Sequence, residues 1–372
     1  MMPGNTVSVL RDGAEAFPAM LEAIAGARRS ILLEMYIFAS DDTGWRFADA
    51  LAERARAGVE VAVLSDAVGS FSTDVGLWRA LEDAGARHIE FGPLDRWWRP
   101  RRLFWSTRDH RKMVVVDGRV GFTGGMNVAD EYGPGDDGSP GWRDTVVRVE
   151  GPAVSDFTRT FLEVWGQTGG PQLMSPDPGV EIPPAGDVRC GLVGLTSRKR
   201  GSRGRRSVYR SYRRAMAAAR QRIFLTNPYF LPDRRFLADL HDARRRGVEV
   251  SVLVPGRSDV PAVKYASRHL YDRLLRWGVQ IHEFHERVLH AKTAVIDGVW
   301  CTVGSFNLDP RSAEHNLEVN LSIEDAGIGR QMERIFDEDL ERAERVHLSD
   351  LKERPLIERL IQAIAYSLRW LL

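Results

Sequence analysis

The chain repeats itself, and this duplication constrains the fold more than any other feature of the 372 residues. A helical pattern that ends at Gly58 and continues into a Val-rich strand occupies 48–66 and returns at 237–255, where Gly247 lies 189 residues after Gly58. Further matching strand or helix–strand patterns occur at 31–38 and 223–230, and at 77–91 and 270–284. Because the order of elements is kept, the sequence predicts two structurally equivalent α/β halves.

The repeat also predicts how the chain is divided. A Pro- and Gly-rich stretch without periodicity separates the two copies, and the repeat ends near residue 345. The predicted units are a first half at 1–170, a connection at 171–187, a second half at 188–345 and an amphipathic tail at 346–372.

Composition excludes several classes of protein. Hydrophobic content of 43% and charged content of 28% are typical of a globular protein, and a net charge of +1 argues against a generic polyanion binder. Charge is nevertheless uneven: 96–112 and 198–210 carry seven basic side chains each. The simplest interpretation of such runs is a solvated face.

The remaining compositional signals concern location. Cys190 and Cys301 provide neither a disulfide framework nor metal-ligand spacing, which favours a reducing compartment. The N-terminus lacks the layout of a signal peptide, and no run reaches the roughly 18–20 apolar residues that span a bilayer. We therefore expect a soluble or peripheral protein without a signal peptide or transmembrane helix.

One eighteen-residue pattern occurs in both halves, as HRKMVVVDGRVGFTGGMN at 110–127 and HAKTAVIDGVWCTVGSFN at 290–307. The β-branched run in each copy predicts a buried strand, and strand alternation places its His and Lys on one face. The small residues before the final Asn predict a tight turn that brings backbone N–H groups and an amide near a ligand.

The His, Lys and Asn side chains of the repeated pattern are the groups that a reaction at a phosphodiester requires. If the halves pack about a pseudo-dyad, two His, two Lys and two Asn side chains converge. One neutral imidazole attacks phosphorus, the protonated one donates to the leaving oxygen, and the remaining groups bind the non-bridging oxygens. No cofactor or metal is required, and His282 and His285 have no matching ligands that would make them a metal site.

The doubled pattern resembles the HKD signature of the phospholipase D superfamily over residues 7 to 345. Flanking phrases such as ILLEMYIF, GGMNVADEY, NPYFLPD and SFNLDPRSAEHNLEVN are similar to those of its bacterial cardiolipin synthases. The resemblance implies two homologous α/β/α halves related by a pseudo-dyad, with an active site in the cleft between them. It also implies a covalent phosphohistidine intermediate.

The resemblance carries over residue by residue. It implies His110 as the nucleophile and His290 as the acid and then the base, and a carboxylate downstream of each motif that holds the second nitrogen of an imidazole. The residues that match the catalytic positions are His110, Lys112, Asn127 and Asp144, and His290, Lys292, Asn307 and Glu318.

Four further residues have open roles. Asp117 and Asp297 belong to the signature, but each follows a strand and precedes Gly, so a structural turn is at least as good an interpretation as chemistry. Ser305 is a candidate donor to phosphate, which the matching Gly125 cannot be. Glu34 is an acid on an apolar strand, and we expect it to have a partner or to lie near the cleft.

Two segments have compositions suited to a membrane surface. Stretch 95–108 mixes four aromatic residues with arginines, which suits anionic headgroups; nucleic acid or a packed insertion are the alternatives. In the tail, apolar residues recur at helical spacing over 355–372, as in an interfacial anchor or a helix docked on the body.

The leading hypothesis is a phosphatidyltransferase that moves a phosphatidyl group from an anionic phospholipid to a lipid hydroxyl, such as that of phosphatidylglycerol. It places the chain peripherally on the cytoplasmic side of a bacterial membrane, with no nucleic-acid partner. The alternatives are a phospholipase D, a metal-independent nuclease of the same superfamily, or a non-enzymatic membrane-binding protein. Oligomeric state and lipid preference do not follow from the sequence.

Overall fold

The strands form one sheet to which both copies of the repeat contribute. The computed structural model describes residues 1–93, 107–135, 138–174, 181–194 and 207–371. The strands of the first half are β1 (Met2–Arg11), β2 (Ser30–Met35), β3 (Glu60–Asp66), β4 (Arg87–Phe91), β5 (Met113–Val116), β6 (Val120–Gly124) and β7 (Thr145–Glu150). Those of the second half are β8 (Val188–Gly194), β9 (Arg222–Thr226), β10 (Glu249–Pro255), β11 (Gln280–Phe284), β12 (Thr293–Ile296), β13 (Trp300–Gly304), β14 (Val319–Glu324) and β15 (Ala343–Arg345).

The order of the strands is the same in both halves. The antiparallel pair β1–β8 lies at the centre, with Met2 opposite Cys190 and Asn5 opposite Val188. From β1 the sheet continues through β7, β6, β5, β2, β3 and β4, and from β8 through β14, β13, β12, β9, β10, β11 and β15. Except for β15, every strand has a counterpart across this central pair. The predicted pair of equivalent α/β halves is therefore confirmed.

The helices of the described residues are distributed over both halves and the tail. They are α1 (Asp12–Ala25), α2 (Asp42–Arg56), α3 (Val75–Asp83), α4 (Val154–Gln167), α5 (Ser207–Ala218), α6 (Arg234–Arg245), α7 (Pro261–Arg268), α8 (Tyr271–Arg276), α9 (Pro310–Glu314), α10 (Ala326–Leu340), α11 (Leu348–Lys352) and α12 (Leu356–Ser367), with a 3-10 turn at Asp130–Tyr132.

Apolar burial holds these elements in layers. Helices α1, α2 and α3 cover one face of the sheet in the first half, and helices α5, α6 and α8 cover one face of the sheet in the second half. Helices α4 and α10 lie on the other faces, where one cluster continues through both halves and includes Phe161, Phe224 and Phe336. Phe224 stacks on Phe336 with ring centroids 4.6 Å apart. Burying a side chain of this size contributes about 1.5–3 kcal/mol, and both halves contribute residues to this cluster.

The aspartates of the repeated motif fix the base of each motif strand. Asp117 and Asp297 adopt positive φ angles of 55° and 53° in the β5–β6 and β12–β13 turns. The Asp117 carboxylate accepts N–H bonds from three consecutive residues at the start of β2, Arg28, Arg29 and Ser30. Asp297 does the same for Arg220, Gln221 and Arg222 at the start of β9. These carboxylates tie the motif hairpin to the neighbouring strand.

The tail packs on the body with one face only. Ala365 and Tyr366 of α12 contact the cluster of Leu231, Val263 and Ala266, which includes residues of α7. The opposite face is apolar and exposed; this exposed stripe consists of Leu356, Ile357, Leu360, Ile361, Ile364, Leu368 and Leu371. The tail is therefore docked on the body through one face of α12, and the interfacial anchor stays a prediction for the exposed stripe. No helix in the described ranges is long and apolar enough to cross a membrane.

We predict that Asp117→Ala destabilises the fold and leaves kcat of the folded protein largely unchanged. The substitution removes a charged acceptor from three N–H groups and places Ala in a left-handed backbone conformation, so the free energy of unfolding falls by about 2–3 kcal/mol. Asp117→Asn keeps one acceptor oxygen, and Asn tolerates the left-handed backbone conformation. The free energy of unfolding should therefore fall by less than half as much. Urea denaturation measures both; a large fall in kcat for folded Asp117→Ala would contradict a purely structural role.

Candidate active site

Backbone hydrogen bonds between the halves hold the start of each motif strand. The His110 N–H donates to Leu317 O at 3.0 Å, and the His290 N–H donates to Arg143 O at 2.8 Å. Leu317 and Arg143 in turn donate to Arg108 O and Val288 O, each at 2.8 Å. Leu317 directly precedes Glu318, and Arg143 directly precedes Asp144. Each of these backbone bridges therefore places a carboxylate beside the imidazole of the other half.

The two imidazole–carboxylate pairs consequently cross the pseudo-dyad. His110 Nδ1 lies 3.1 Å from both oxygens of Glu318, and His290 Nδ1 lies 2.8 Å from Asp144 Oδ2. With Nδ1 of each ring bound, Nε2 is the nitrogen without a hydrogen-bond partner among the described residues. The resemblance implied one carboxylate for each imidazole, and the structure brings all four residues together.

Two buried lysines supply positive charge beside the imidazoles. Lys112 Nζ donates to the carbonyl of His110 at 2.7 Å, and Lys292 Nζ donates to the carbonyl of His290. Neither ammonium has a carboxylate oxygen of a described residue within 4 Å. Burial lowers the pKa of Lys112 to about 7 and that of Lys292 to about 8. Buried cations without an ion-pair partner are costly, so the site is electrostatically prepared for an anion.

The motif asparagines differ in how their amides are used. Asn127 accepts from the Ile37 N–H at 3.1 Å and donates to the Tyr132 hydroxyl at 2.7 Å. Asn307 is equally buried, but its Oδ1 has no hydrogen-bond partner among the described residues. Oxygen and nitrogen of an amide are interchangeable by a flip, so this end of Asn307 can present a donor. Such an unpartnered buried amide is available to a bound ligand.

The electrostatic environments of the two pairs are unequal. Burial raises the pKa of Glu318 to about 8. Burial also acts on Asp144, but its hydrogen bond to His290 and the charge of Lys292 outweigh this and hold its pKa below the ordinary value. Burial, with the two lysine charges, holds the pKa of His110 well below its usual range. Burial lowers the pKa of His290 too, while the bond to Asp144 opposes the shift. His290 is therefore the better site for a proton.

Hydroxyl groups orient the Glu318 carboxylate. Ser305 Oγ donates to Glu318 Oε2 at 2.5 Å, and Ser312 Oγ donates to Oε1 at 2.7 Å. The hydroxyl of Ser305, the candidate donor to phosphate, is thus turned toward the carboxylate in this structure. At the matching Gly125, an added Cβ would lie 2.4 Å from Asp144 Oδ1, so only glycine leaves room for that carboxylate.

Sequence reasoning missed Ser312 and Tyr132, whose hydroxyl lies 3.4 Å from His290 Nδ1. Both belong to the flanking phrases that carry the family resemblance, GGMNVADEY and SFNLDPRSAEHNLEVN. They lie five residues after the motif asparagines, on the 3-10 turn and α9, so strand alternation gave no reason to select them. Their contacts arise only because both segments turn back toward the imidazoles.

The remaining candidate residues lie outside the set of imidazoles, lysines and amides. Glu34 is fully buried on β2 and forms an ion pair with Arg111, whose Nε also binds Asp109 Oδ1 at 3.0 Å. Burial raises the pKa of Glu34 well above its usual value. Its partner Arg111 lies between His110 and Lys112 in the chain, so Glu34 supports the motif strand. Asp117 and Asp297 bind backbone at the far end of the motif strands.

Two other points of the sequence analysis concern the basic stretches and a possible metal site. Most of the Trp- and Arg-rich stretch 95–108 and of the basic run 198–210 lies outside the described residues. Within the described ranges, no group of three or more His, Cys, Asp or Glu side chains is placed to hold a metal ion.

Comparison with known proteins identifies relatives along the whole chain. The family model described as "Cardiolipin synthase, PLD-like domain" matches residues 20–165 and 212–340. A cardiolipin synthase of Geobacillus sp. (strain WCH70) is 34% identical over 369 residues, covering 98% of this chain and 72% of the relative. Cardiolipin synthase B of Salmonella typhimurium is 36% identical over 328 residues, covering 87% and 77%.

Among solved structures, the phosphatidylserine synthase of Haemophilus influenzae Rd KW20 matches with a TM-score of 0.74 at 14% identity, covering 98% of this chain and 95% of that one. A polyphosphate kinase from Porphyromonas gingivalis matches with a TM-score of 0.61 at 16% identity over 98% of this chain and 53% of that one. At these identities the likeness concerns the fold alone. Together with the matches along the sequence, it shows that the chain belongs to the phospholipase D-like cardiolipin synthase family.

Proposed function

We propose that this phosphatidyltransferase moves a phosphatidyl group from phosphatidylglycerol through a phosphohistidine on His110 to the hydroxyl of a second lipid. The observation that carries the proposal is the crossed arrangement of two imidazole–carboxylate pairs beside two buried lysines that form no ion pair with a described residue. A symmetric pair of imidazoles serves a reaction with an attacking and a leaving group on opposite sides of phosphorus. Acceptance by a lipid hydroxyl gives cardiolipin.

In the first step, Nε2 of neutral His110 attacks phosphorus while Nδ1–H donates to ionised Glu318. The bond between phosphorus and the leaving glycerol oxygen breaks, and His290 transfers its Nε2 proton to that oxygen. The lowered pKa of His110 keeps its nitrogen unprotonated, and Asp144 stabilises the proton on His290. General acid assistance contributes roughly 10²–10⁴-fold in rate.

In the second step, His290 is neutral and accepts the proton of the incoming lipid hydroxyl. The hydroxyl oxygen attacks phosphorus, the P–N bond breaks, and the electron pair returns to His110. Lys112, Lys292 and Asn307 bind the non-bridging oxygens in both steps. The site is largely buried, so these charges act in a medium where they are worth more than in water.

We also propose that the protein works as a peripheral protein on the cytoplasmic face of the membrane. Its exposed stripe on α12 provides an apolar face of the kind that lies among headgroups and acyl chains. Cys190 and Cys301 are both free and buried, which suits a reducing compartment. Stretch 95–108 remains a candidate second contact from its composition alone.

The function is tested by separating the lipid products after incubation with phosphatidylglycerol vesicles. We expect cardiolipin and glycerol from the wild type, and neither from His110→Ala. A second donor carries nitrophenolate as its leaving group, which needs no proton in order to leave. Relative to wild type, His290→Ala is therefore expected to release nitrophenolate far better than it releases glycerol. His110→Ala should fail with both donors.

The products also separate the alternatives. Phosphatidic acid in place of cardiolipin would make the protein a hydrolase, and cleavage of single-stranded DNA without lipid turnover would make it a nuclease. Either result, or cardiolipin formation by His110→Ala, would overturn the proposal. Acid-labile labelling of wild type but not of His110→Ala by a phosphorus-labelled donor would support the intermediate directly.

We predict that Ser312→Ala moves the acid limb of the pH profile to higher pH. Glu318 must be ionised to accept from His110 Nδ1, so kcat/KM falls as pH drops through its pKa of about 8. The Ser312 hydroxyl stabilises the ionised form, and its removal raises this pKa by roughly one unit. Ser211→Ala, which removes a hydroxyl bonded to Ser322, is the control. An unmoved acid limb would contradict the assignment.

We predict that charges on the exposed stripe weaken vesicle binding. In Leu360→Glu/Ile364→Glu the altered side chains are 55% and 51% exposed, so the fold is preserved while an apolar membrane contact is replaced by two carboxylates. Sedimentation with lipid vesicles should show binding at least about tenfold weaker. Val75→Glu/Val299→Glu, on exposed apolar residues elsewhere, should bind like the wild type. Equal losses in both variants would contradict the prediction.

A further inference from the structure

A cavity of about 570 Å³ lies between helices α7 and α8 of the second half and helices α11 and α12 of the tail. It is distinct from the site that contains the two motif lysines. Its cationic lining consists of Arg268, Arg273, Arg276, Lys352, Arg354 and Arg359, and Asp272 is the one carboxylate among the described residues that line it. We call this the basic cavity.

Most of this charge has no ion-pair partner among the described residues. Asp272 is bound by Arg276 at 2.9 Å. Arg268 donates through its Nε to Glu283 at 2.8 Å, and its Nη1 lies 3.6 Å from Glu358 Oε1. The other four cations, Arg273, Lys352, Arg354 and Arg359, have no carboxylate oxygen of a described residue within 4 Å. Four unpaired cations in one concave site make it strongly attractive to a polyoxygen anion.

Arg354 is one of these cations, and its guanidinium lies in a less solvated position. It is half-buried, and its guanidinium lies 5.9 Å from the ring centroid of the buried Tyr271. Burial, and then the charge of Arg268, lower the pKa of Arg354 from its usual value. The charges of Glu358 and Glu283 oppose this shift, but neither approaches the guanidinium as an ion-pair partner within 4 Å, and no other described carboxylate does so. A bound anion would relieve both costs.

The basic cavity is next to the exposed stripe. Arg359 and Gln362 of α12 line the cavity, while Leu360, Ile361 and Ile364 of the same helix point outward. A surface that places cations at the flank of an exposed apolar helix matches the layout of a bilayer, where phosphates lie at the margin of the acyl region. A nucleic acid would leave the apolar residues unused.

This surface is connected to the active site. Tyr366 of α12 packs against the same cluster as Tyr229 and Val260. Next to Val260, Asp259 accepts a hydrogen bond from the Tyr229 hydroxyl and acts electrostatically on His290 and Lys292. Helix α12 therefore lies a single layer of residues from groups that influence the motif histidine. A bilayer held by α12 would lie close to the proposed site of lipid chemistry.

We infer that the basic cavity binds the phosphate of an anionic phospholipid headgroup in the bilayer surface while the exposed stripe enters the adjoining apolar region. This is a second, non-catalytic lipid site that selects anionic membranes and orients the protein on them. The inference rests on the proposed action on membrane lipids. It assigns a ligand to residues that take no part in the transfer steps.

The test is flotation of the purified full chain with vesicles of phosphatidylcholine, with and without phosphatidylglycerol. The variant Arg273→Gln/Arg354→Gln/Arg359→Gln removes three of the unpaired cations. At about fivefold for each cation near an anionic surface, we expect its partition onto anionic vesicles to fall on the order of 100-fold. Binding to pure phosphatidylcholine vesicles should change by less than about twofold.

A matched control separates a site from net charge. Arg46→Gln/Arg79→Gln/Arg119→Gln removes the same charge from exposed arginines of the first half and should lose less than about threefold in partition. Equal losses in the two triple variants, or no loss in the cavity variant, would overturn the inference. Melting temperatures within a few degrees of wild type verify that both variants are folded.

Flotation needs no turnover, so the outcome is independent of the transfer chemistry. His110→Ala should bind anionic vesicles like the wild type even though it forms no product. If the wild type made no cardiolipin but the cavity variant alone lost anionic binding, the proposed function would fail and the lipid site would stand. An excess of inorganic phosphate that abolished wild-type flotation at constant ionic strength would indicate a site for free phosphate and overturn the headgroup assignment.

Discussion

The central constraint on this structure is that each motif imidazole is held by a carboxylate of the other half. Neither half contains a complete pair: His110 needs Glu318, and His290 needs Asp144. The antiparallel contact between β1 and β8 sets the relative position of the halves, and the bridges at Leu317 and the residue before Asp144 set the final register. A small displacement between the halves would break both pairs at once, since a hydrogen bond weakens within a few tenths of an ångström.

The second constraint is the cost of the buried lysines. Lys112 and Lys292 lie in the interior with backbone carbonyls as their acceptors, and burial lowers the pKa of both toward neutrality. Removing an ammonium from water without a counter-ion is unfavourable, and the surrounding fold must offset it. In the proposed mechanism, a phosphodiester restores the missing negative charge. Part of its binding free energy therefore comes from relieving a cost already present in the free protein.

Duplication supplied two similar half-sites, and divergence made them chemically unequal. Glu318 has two serine donors and a raised pKa, whereas Asp144 packs against Gly125 and remains ionised. In the proposed mechanism this inequality decides which imidazole attacks and which carries the proton, because environments that push two pKa values apart assign acid and base roles. The buried group around Arg111 belongs to the first half alone, since Ala291 occupies the matching position.

The sequence by itself determined the duplicated α/β halves and the chemical types of the site. Periods of two and 3.6 residues, the glycine stops and the paired His–Lys spacing are local properties that a single sequence displays. It did not determine the direction of the Ser305 hydroxyl, the contact of Ser312 or the cations gathered beside the tail. Tertiary structure decided these, and it also decided the crossing of the two imidazole–carboxylate pairs, which span 208 and 146 residues. Such contacts depend on how whole layers pack, which no local pattern encodes.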